Sequence, residues 1–193
     1  MNIRLCTIDT EYVEYLQNTC NIPHVLDNKE ESVHGRRYLG VVLQIEHYKY
    51  YVPLSSPKSS DYVYINGQRR IRRSIIPIMR IITRDEGNSP ELKGKLKFSS
   101  MIPVPDSAIS LYNISQEPDS AYKIIVEKEY AFIRSNQDDI IRHATVLYNQ
   151  KTKENILYTG HNAFRKPGYL SATVDFKYAE QMHDKYIQEH NIC

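Results

Sequence analysis

The sequence predicts an α+β fold: a small twisted antiparallel sheet, or a partly closed barrel, flanked by helices. Three observations predict it. The first half of the chain carries short β-branched and aromatic runs separated by polar turns. The second half switches to apolar spacing of helical period. The 193 residues contain no linker-like or low-complexity tract, which suits a single domain, 1–193, with its own core.

The elements follow in order. Residues 2–8 read as a first strand. Thr10 is placed to cap a helix with Tyr12, Val13, Tyr15 and Leu16 on one face. Residues 20–37 are polar and irregular. Residues 38–45 and 48–54 form the clearest hairpin, with a polar break at Glu46-His47. A long loop is expected from Ser55 to Ser74. "SIIPIMRIIT" is an apolar strand whose Pro77 marks an edge or a bulge. "KLKFSSMIPVP" and "AISLYNI" give two more short strands. Asp119 or Ser120 starts a helix carrying Tyr122, Ile125, Val126, Phe132 and Ile133. Asn136 caps the next, where Ile140, Ile141, Ala144, Leu147 and Tyr148 share one stripe. "GHNAFRKPGY" is a loop. A last helix from about Asp175 sets Phe176, Ala179, His183, Tyr186 and Ile187 on one face. The strand order does not follow from this pattern.

Composition narrows the class. Charged residues make up 25% and hydrophobic residues 41%, as in an ordinary soluble globular protein. The N-terminal "MNIRLCTIDTEYVEYL" lacks an uninterrupted apolar core, and no run reaches membrane-spanning length. Cys6, Cys20 and Cys193 are far apart, odd in number and without CxxC spacing. A reduced, cytoplasmic protein with neither zinc nor a disulfide framework is expected. The net charge is only +2, but it is uneven: from Lys58 to Lys97 there are ten Lys/Arg and four acids, an excess of six. Such a field suits phosphates, although a solvated loop would look the same. The 16 Tyr can stack on bases, but they also suit strands.

The chemistry begins at "YYVPLSSPK". Pro53 and Pro57 bracket Ser55 and Ser56 and stiffen the backbone, so the strand ends in a rigid peptide whose side chains can face a cleft. A hydroxyl can hydrogen-bond a phosphoryl oxygen, and the Lys58 ammonium can stabilise charge building on a phosphate. The same residues suit a serine–lysine acyl transferase, or simply a turn that closes a hairpin. No G-x-S-x-G elbow supports acyl transfer. In an antiparallel hairpin the start of one strand lies beside the end of the other. His34, Arg36 and Arg37 should therefore meet Ser55–Lys58 at one sheet edge, with His34 a candidate general base. Surface roles for His34, Arg36 and Arg37 remain open on this reading.

Metal-dependent nuclease chemistry wants clustered carboxylates. The paired acids are Asp138-Asp139, Asp85-Glu86 and Glu30-Glu31, and Asp138 is explained by the dipole at its helix start. No P-loop, Rossmann glycine pattern or HExxH is present. No metal and no cofactor are expected. RNA brings its own nucleophile, the 2′-hydroxyl, so protein groups alone can cleave it and leave a 2′,3′-cyclic phosphate, whereas DNA would be inert.

"RRYLGVVLQIEHYKYYVPLSSPK", "LKFSSMIPVP", "EPDSAYKIIVEKEYAFIRSNQDDI" and the helix near Asp175 together resemble the ToxN/AbiQ family, the endoribonuclease toxins of type III toxin–antitoxin and phage-abortive systems. The resemblance implies a sheet core related to the MazF/Kid-type toxins and metal-independent, sequence-selective cleavage of cellular or phage RNA. It implies inhibition by a small structured antitoxin RNA, cut by the toxin from tandem repeats and retained in the active-site groove, in a cyclic toxin–RNA assembly. By position, Ser55, Ser56 and Lys58 match the family's active-site turn. Arg36 falls where a relative has a catalytic lysine, which keeps the charge but removes a proton donor near neutral pH. Ser32 falls where that relative has an active-site tyrosine; His34 or Tyr38 is the candidate to compensate. Arg69, Arg70, Arg72 and Arg73 form an expected groove wall for the RNA. Arg37 and Tyr38 join it, and Lys93, Lys95 and Lys97 alternate along a strand to give one positive face. The alternative from another class is a non-catalytic RNA-binding module.

Overall fold

The structure, a computed structural model, describes residues 3–28 and 34–190. Ser32, the Glu30-Glu31 pair and Cys193 lie outside the described residues. Strand β1 (Arg4–Ile8) leads into a short helix α1 (Thr10–Glu14) and a π-helical turn, Tyr15–Thr19. Asp9, not Thr10, caps α1 by accepting the Glu11 N–H. The expected hairpin is β2 (Tyr38–Ile45) and β3 (Tyr48–Ser55). The segment expected to be a loop instead contains a second hairpin, β4 (Tyr62–Ile65) and β5 (Gln68–Ile71). Then come β6 (Ile78–Arg84), β7 (Pro90–Lys97), β8 (Ile102–Pro103) and β9 (Ile109–Leu111). The helices α2 (Ser120–Ser135), α3 (Gln137–Thr152), the short α4 (Glu154–Leu157) and α5 (Phe176–Glu189) complete the chain. Asp119 and Asp175 cap α2 and α5 through their carboxylates.

All ladders are antiparallel, in the order β6-β7-β3-β2-β1-β9, with β8 paired beside β3. The path has two ends, so of the two expected forms, a small twisted sheet or a partly closed barrel, the structure gives a sheet that is not closed. An open sheet gives no support to a MazF/Kid-type barrel. The helices cover the sheet: α2 packs on β6 and β7, α3 on β2, and α5 on β8. Their stripes bury Val126, Ile133, Ile140, Ala144, Leu147, Phe176 and Ala179 in one continuous core with Leu39, Tyr50, Val52, Leu96 and Phe98. No helix among the described residues is long and apolar enough to cross a membrane.

Strand β3 explains how a proline sits deep in a sheet. One side of β3 pairs with β2; the other pairs with β8 at Tyr50–Tyr51, then with β7 at Leu54–Ser55. The Leu54 N–H donates to the Arg37 carbonyl, at 2.8 Å, on the β2 side. Backbone direction alternates along a strand, so the nitrogen of Pro53 faces the other side, into the gap between β8 and β7. No ladder bond is lost there for want of an N–H.

Candidate active site and RNA-facing surface

Pairing Tyr38 with Pro53 lays the approach to β2 against the end of β3. A cavity of about 440 Å³ opens at this edge, lined by His34, Arg36, Ser55, Ser56, Lys93 and Glu129 among others. The hairpin logic therefore brings the imidazole, both guanidiniums and both hydroxyls together. Lys58 does not line the cavity. It follows Pro57, which does, and its side chain is exposed. Among the described residues no carboxylate engages its ammonium.

The cavity edge is rigid because its cations are tied down. Arg36 is buried, with Nε donating to the Asp27 carbonyl at 2.5 Å, Nη1 to the Leu54 carbonyl at 3.1 Å, and Nη2 3.3 Å from the Asp27 carboxylate. The Lys58 turn is fixed by Asp61. The Lys58 N–H donates to Asp61 Oδ2 at 2.9 Å, and the Asp61 N–H returns to the Lys58 carbonyl at 2.9 Å. Asp61 is buried and also takes Arg80, at 3.0 Å, and the Lys95 ammonium. Burial alone would raise its pKa. The hydrogen bonds from Lys95 and the Lys58 N–H, with the charges of Lys95 and Arg80, outweigh that and hold it below the usual carboxylate value. Lys97 is shifted down by burial, then by Arg36, Lys58 and Lys95, so these four cations share one field beside the serines.

Glu129 escaped the sequence reading. It lies on α2 and is buried against Gly94 of β7, where a Cβ would come 2.1 Å from its Oε1. Only glycine leaves room there for the carboxyl. Burial pushes its pKa up to about 7, against the pull of Arg37 and Lys93. The sequence held a signal: an acid three residues after Val126 and four before Ile133 falls on the apolar stripe of the helix.

The residues expected to face RNA divide into two groups. Arg37 is buried, its Nη2 2.9 Å from Glu117 and its guanidinium over the rings of Tyr112 and Tyr122 at 4.2 and 4.5 Å. Tyr38 is buried, with its hydroxyl turned to the Leu26 carbonyl and Asn28 Oδ1, which gives it no surface for a polymer. Lys95 is buried on Asp61. Lys93 is the extra residue of a β-bulge and pairs with Glu91 at 2.5 Å, so the three lysines of β7 do not form the single face expected of them. Arg69, Arg70, Arg72 and Arg73 are exposed. His34 stacks on Tyr122 with ring centroids 3.7 Å apart, and its Nε2 lies 3.2 Å from Asp119.

Among the described residues, one group could ligate a metal: His47, His183 and Asp184, with ligand atoms within 4.8 Å of one another. Asp184 there already takes both imidazoles, each at 3.1 Å, and the Tyr48 hydroxyl at 2.7 Å. It shares no residue with the cavity.

The family model described as "Toxin ToxN, type III toxin-antitoxin system" matches residues 4–184. The chain belongs to the ToxN family. Among curated ToxN-family relatives, the protein named Endoribonuclease ToxN of Pectobacterium atrosepticum is 27% identical over 150 residues, covering 76% of this chain and 80% of the relative. Endoribonuclease AbiQ of Lactococcus lactis subsp. lactis is 28% identical over 182 residues, 93% of this chain and 87% of the relative. A solved structure from work on selective toxin inhibition by a non-coding RNA pseudoknot superposes with a TM-score of 0.73 at 25% identity, covering 96% of this chain and 98% of the other.

Proposed function

We propose that this chain is an endoribonuclease toxin of a type III toxin–antitoxin system, one domain that cuts RNA without metal and is held in check by a small structured RNA. The observation that carries the reading is the convergence of Ser55, Ser56 and Arg36 on one cavity with Lys58 beside it, in a ToxN-family chain. The names of the relatives support the substrate class.

In this reading the Ser55 and Ser56 hydroxyls hydrogen-bond the phosphoryl oxygens. Lys58 stabilises the charge that builds as the 2′-hydroxyl attacks the adjacent phosphorus and the 5′-oxygen leaves, taking its proton from solvent, which gives a 2′,3′-cyclic phosphate and a 5′-hydroxyl. Arg36, pinned by three contacts, is a fixed positive charge rather than a proton donor. His34 takes the 2′-hydroxyl proton. The exposed arginines 69–73 contact antitoxin and substrate phosphates.

The test is incubation with repeat-containing precursor RNA in EDTA. Cleavage with cyclic-phosphate ends, lost in Lys58→Ala, is expected. Binding without cleavage, unchanged by Lys58→Ala, would instead identify an RNA-binding module.

A further inference from the structure

Just beyond Lys58 the chain makes an excursion that the cavity does not need. Among the described residues, β4 and β5 pair only with each other. Asn66 and Gly67 join them with φ of +51° and +74°, the positive pair that a tight hairpin turn of matching twist requires. A two-stranded ribbon is marginal in water on its own. This one is anchored at its root, where the Arg72 N–H donates to the Asp61 carbonyl at 2.9 Å and Arg72 Nε to the Tyr62 carbonyl at 3.1 Å.

Its outer part stands in solvent: residues 64–70 are exposed, while Tyr62, Val63 and Ile71 are half-buried at the root. Tyr64 lies opposite Arg69 and Tyr62 opposite Ile71, so these four side chains share one face. There the Arg69 guanidinium covers the Tyr62 ring at 3.6 Å, whereas the Tyr64 ring is 72% exposed. From Tyr62 to Arg73 there are four arginines and no carboxylate. An open aromatic ring set among guanidiniums fits an unpaired nucleobase and its flanking phosphates. Bases inside a duplex are stacked on each other and offer no such face. The turn Ser59–Asp61 alone separates the root of the ribbon from Lys58, and Tyr64 lies two residues further out, so a strand leaving the cavity on this side would pass along the ribbon.

We propose that the Tyr62–Ile71 ribbon docks a single-stranded RNA segment next to the cleavage site, with Tyr64 stacking on one unpaired base and the arginines on its phosphates. The placement next to cleavage rests on the endoribonuclease reading; the docking itself does not.

The experiment uses the full chain and a fluorescent, fully 2′-O-methylated single strand, which can bind but lacks the nucleophile. A duplex of equal length serves as control. Tyr64→Ala should weaken single-strand binding by roughly tenfold or more and leave its salt slope unchanged. Tyr64→Phe should keep most of the affinity, and duplex binding should not respond to either change. A single abasic site is then moved along the strand. At one position it should cost affinity in the wild type and nothing further in Tyr64→Ala.

Equal affinity of wild type and Tyr64→Ala, or additive losses at every position, overturns the proposal, leaving a protein partner as the occupant to seek. Cleavage that persists with a silent Tyr64→Ala sinks the ribbon alone. Tyr64-dependent binding without any cleavage sinks the enzyme reading alone.

Discussion

Arginines and lysines occupy two contrasting settings in this chain. Around the end of β3, Arg36, Arg37, Arg80 and Lys95 are buried, and each donates to a carbonyl or a carboxylate. On and just after the β4–β5 ribbon, Arg69, Arg70, Arg72 and Arg73 stand in solvent. In the sequence these residues look alike, and a window count gives the sign of a field without telling which charges are available to a ligand. The partners decide: Asp27, Asp61 and Glu117 claim the buried cations, and no acid lies within the ribbon to claim the others. Buried charges shape and stiffen the site, whereas exposed ones are left available to a ligand.

The sharpest way to break this contrast is Asp61→Ala, which strands Arg80 and Lys95 inside the protein. A loss of about 3–5 kcal/mol is expected in urea unfolding, because an unpaired buried charge is costly. An unchanged midpoint would show that these cations find water. Lys58→Ala should do the opposite. Its side chain is exposed, so stability should hold while cleavage falls by about 10²–10³-fold. Loss of fold alongside activity would place Lys58 in the buried class.

Glu129 gives a test through pH. Its folded value of about 7 lies above the ordinary 4.5, so between these the folded state binds more protons than the unfolded. Stability is therefore fully present below about 4.5 and is lost as pH rises through about 7. The full difference is about 3 kcal/mol. Glu129→Gln should flatten this slope and stabilise the protein at pH 8; an unaltered slope would assign the titration elsewhere. The smallest effects separate Arg70 from Arg37. Arg70→Ala should lower the salt slope of RNA binding by about 1 without changing stability. Arg37→Ala should lower stability, and any change in its salt slope would return that residue to the binding surface.

Local rules made much of the fold legible. The β2–β3 hairpin and the starts of α2 and α5 followed from strand composition and from Asp119 and Asp175. The β4–β5 ribbon was missed although "YVYINGQRRI" carries the Asn-Gly turn, because the dense arginines read as a solvated loop. The alternation of Lys93, Lys95 and Lys97 failed at a bulge fixed by the register against Ile81 and Ile82 of a different strand. At the site, hairpin geometry sufficed to gather His34, Arg36, Arg37, Ser55 and Ser56. The burial of Arg37 depends on Tyr112, Glu117 and Tyr122, which no local pattern connects to it.

The change of neighbours along β3 makes that strand a spine between two leaves, one carrying β7 and β6, the other β2 and β1. Pro53 sits at the crease, and the serine pair rides just past it. The serine pair thus sits where the two leaves share a strand, so its position is set by both ladders at once.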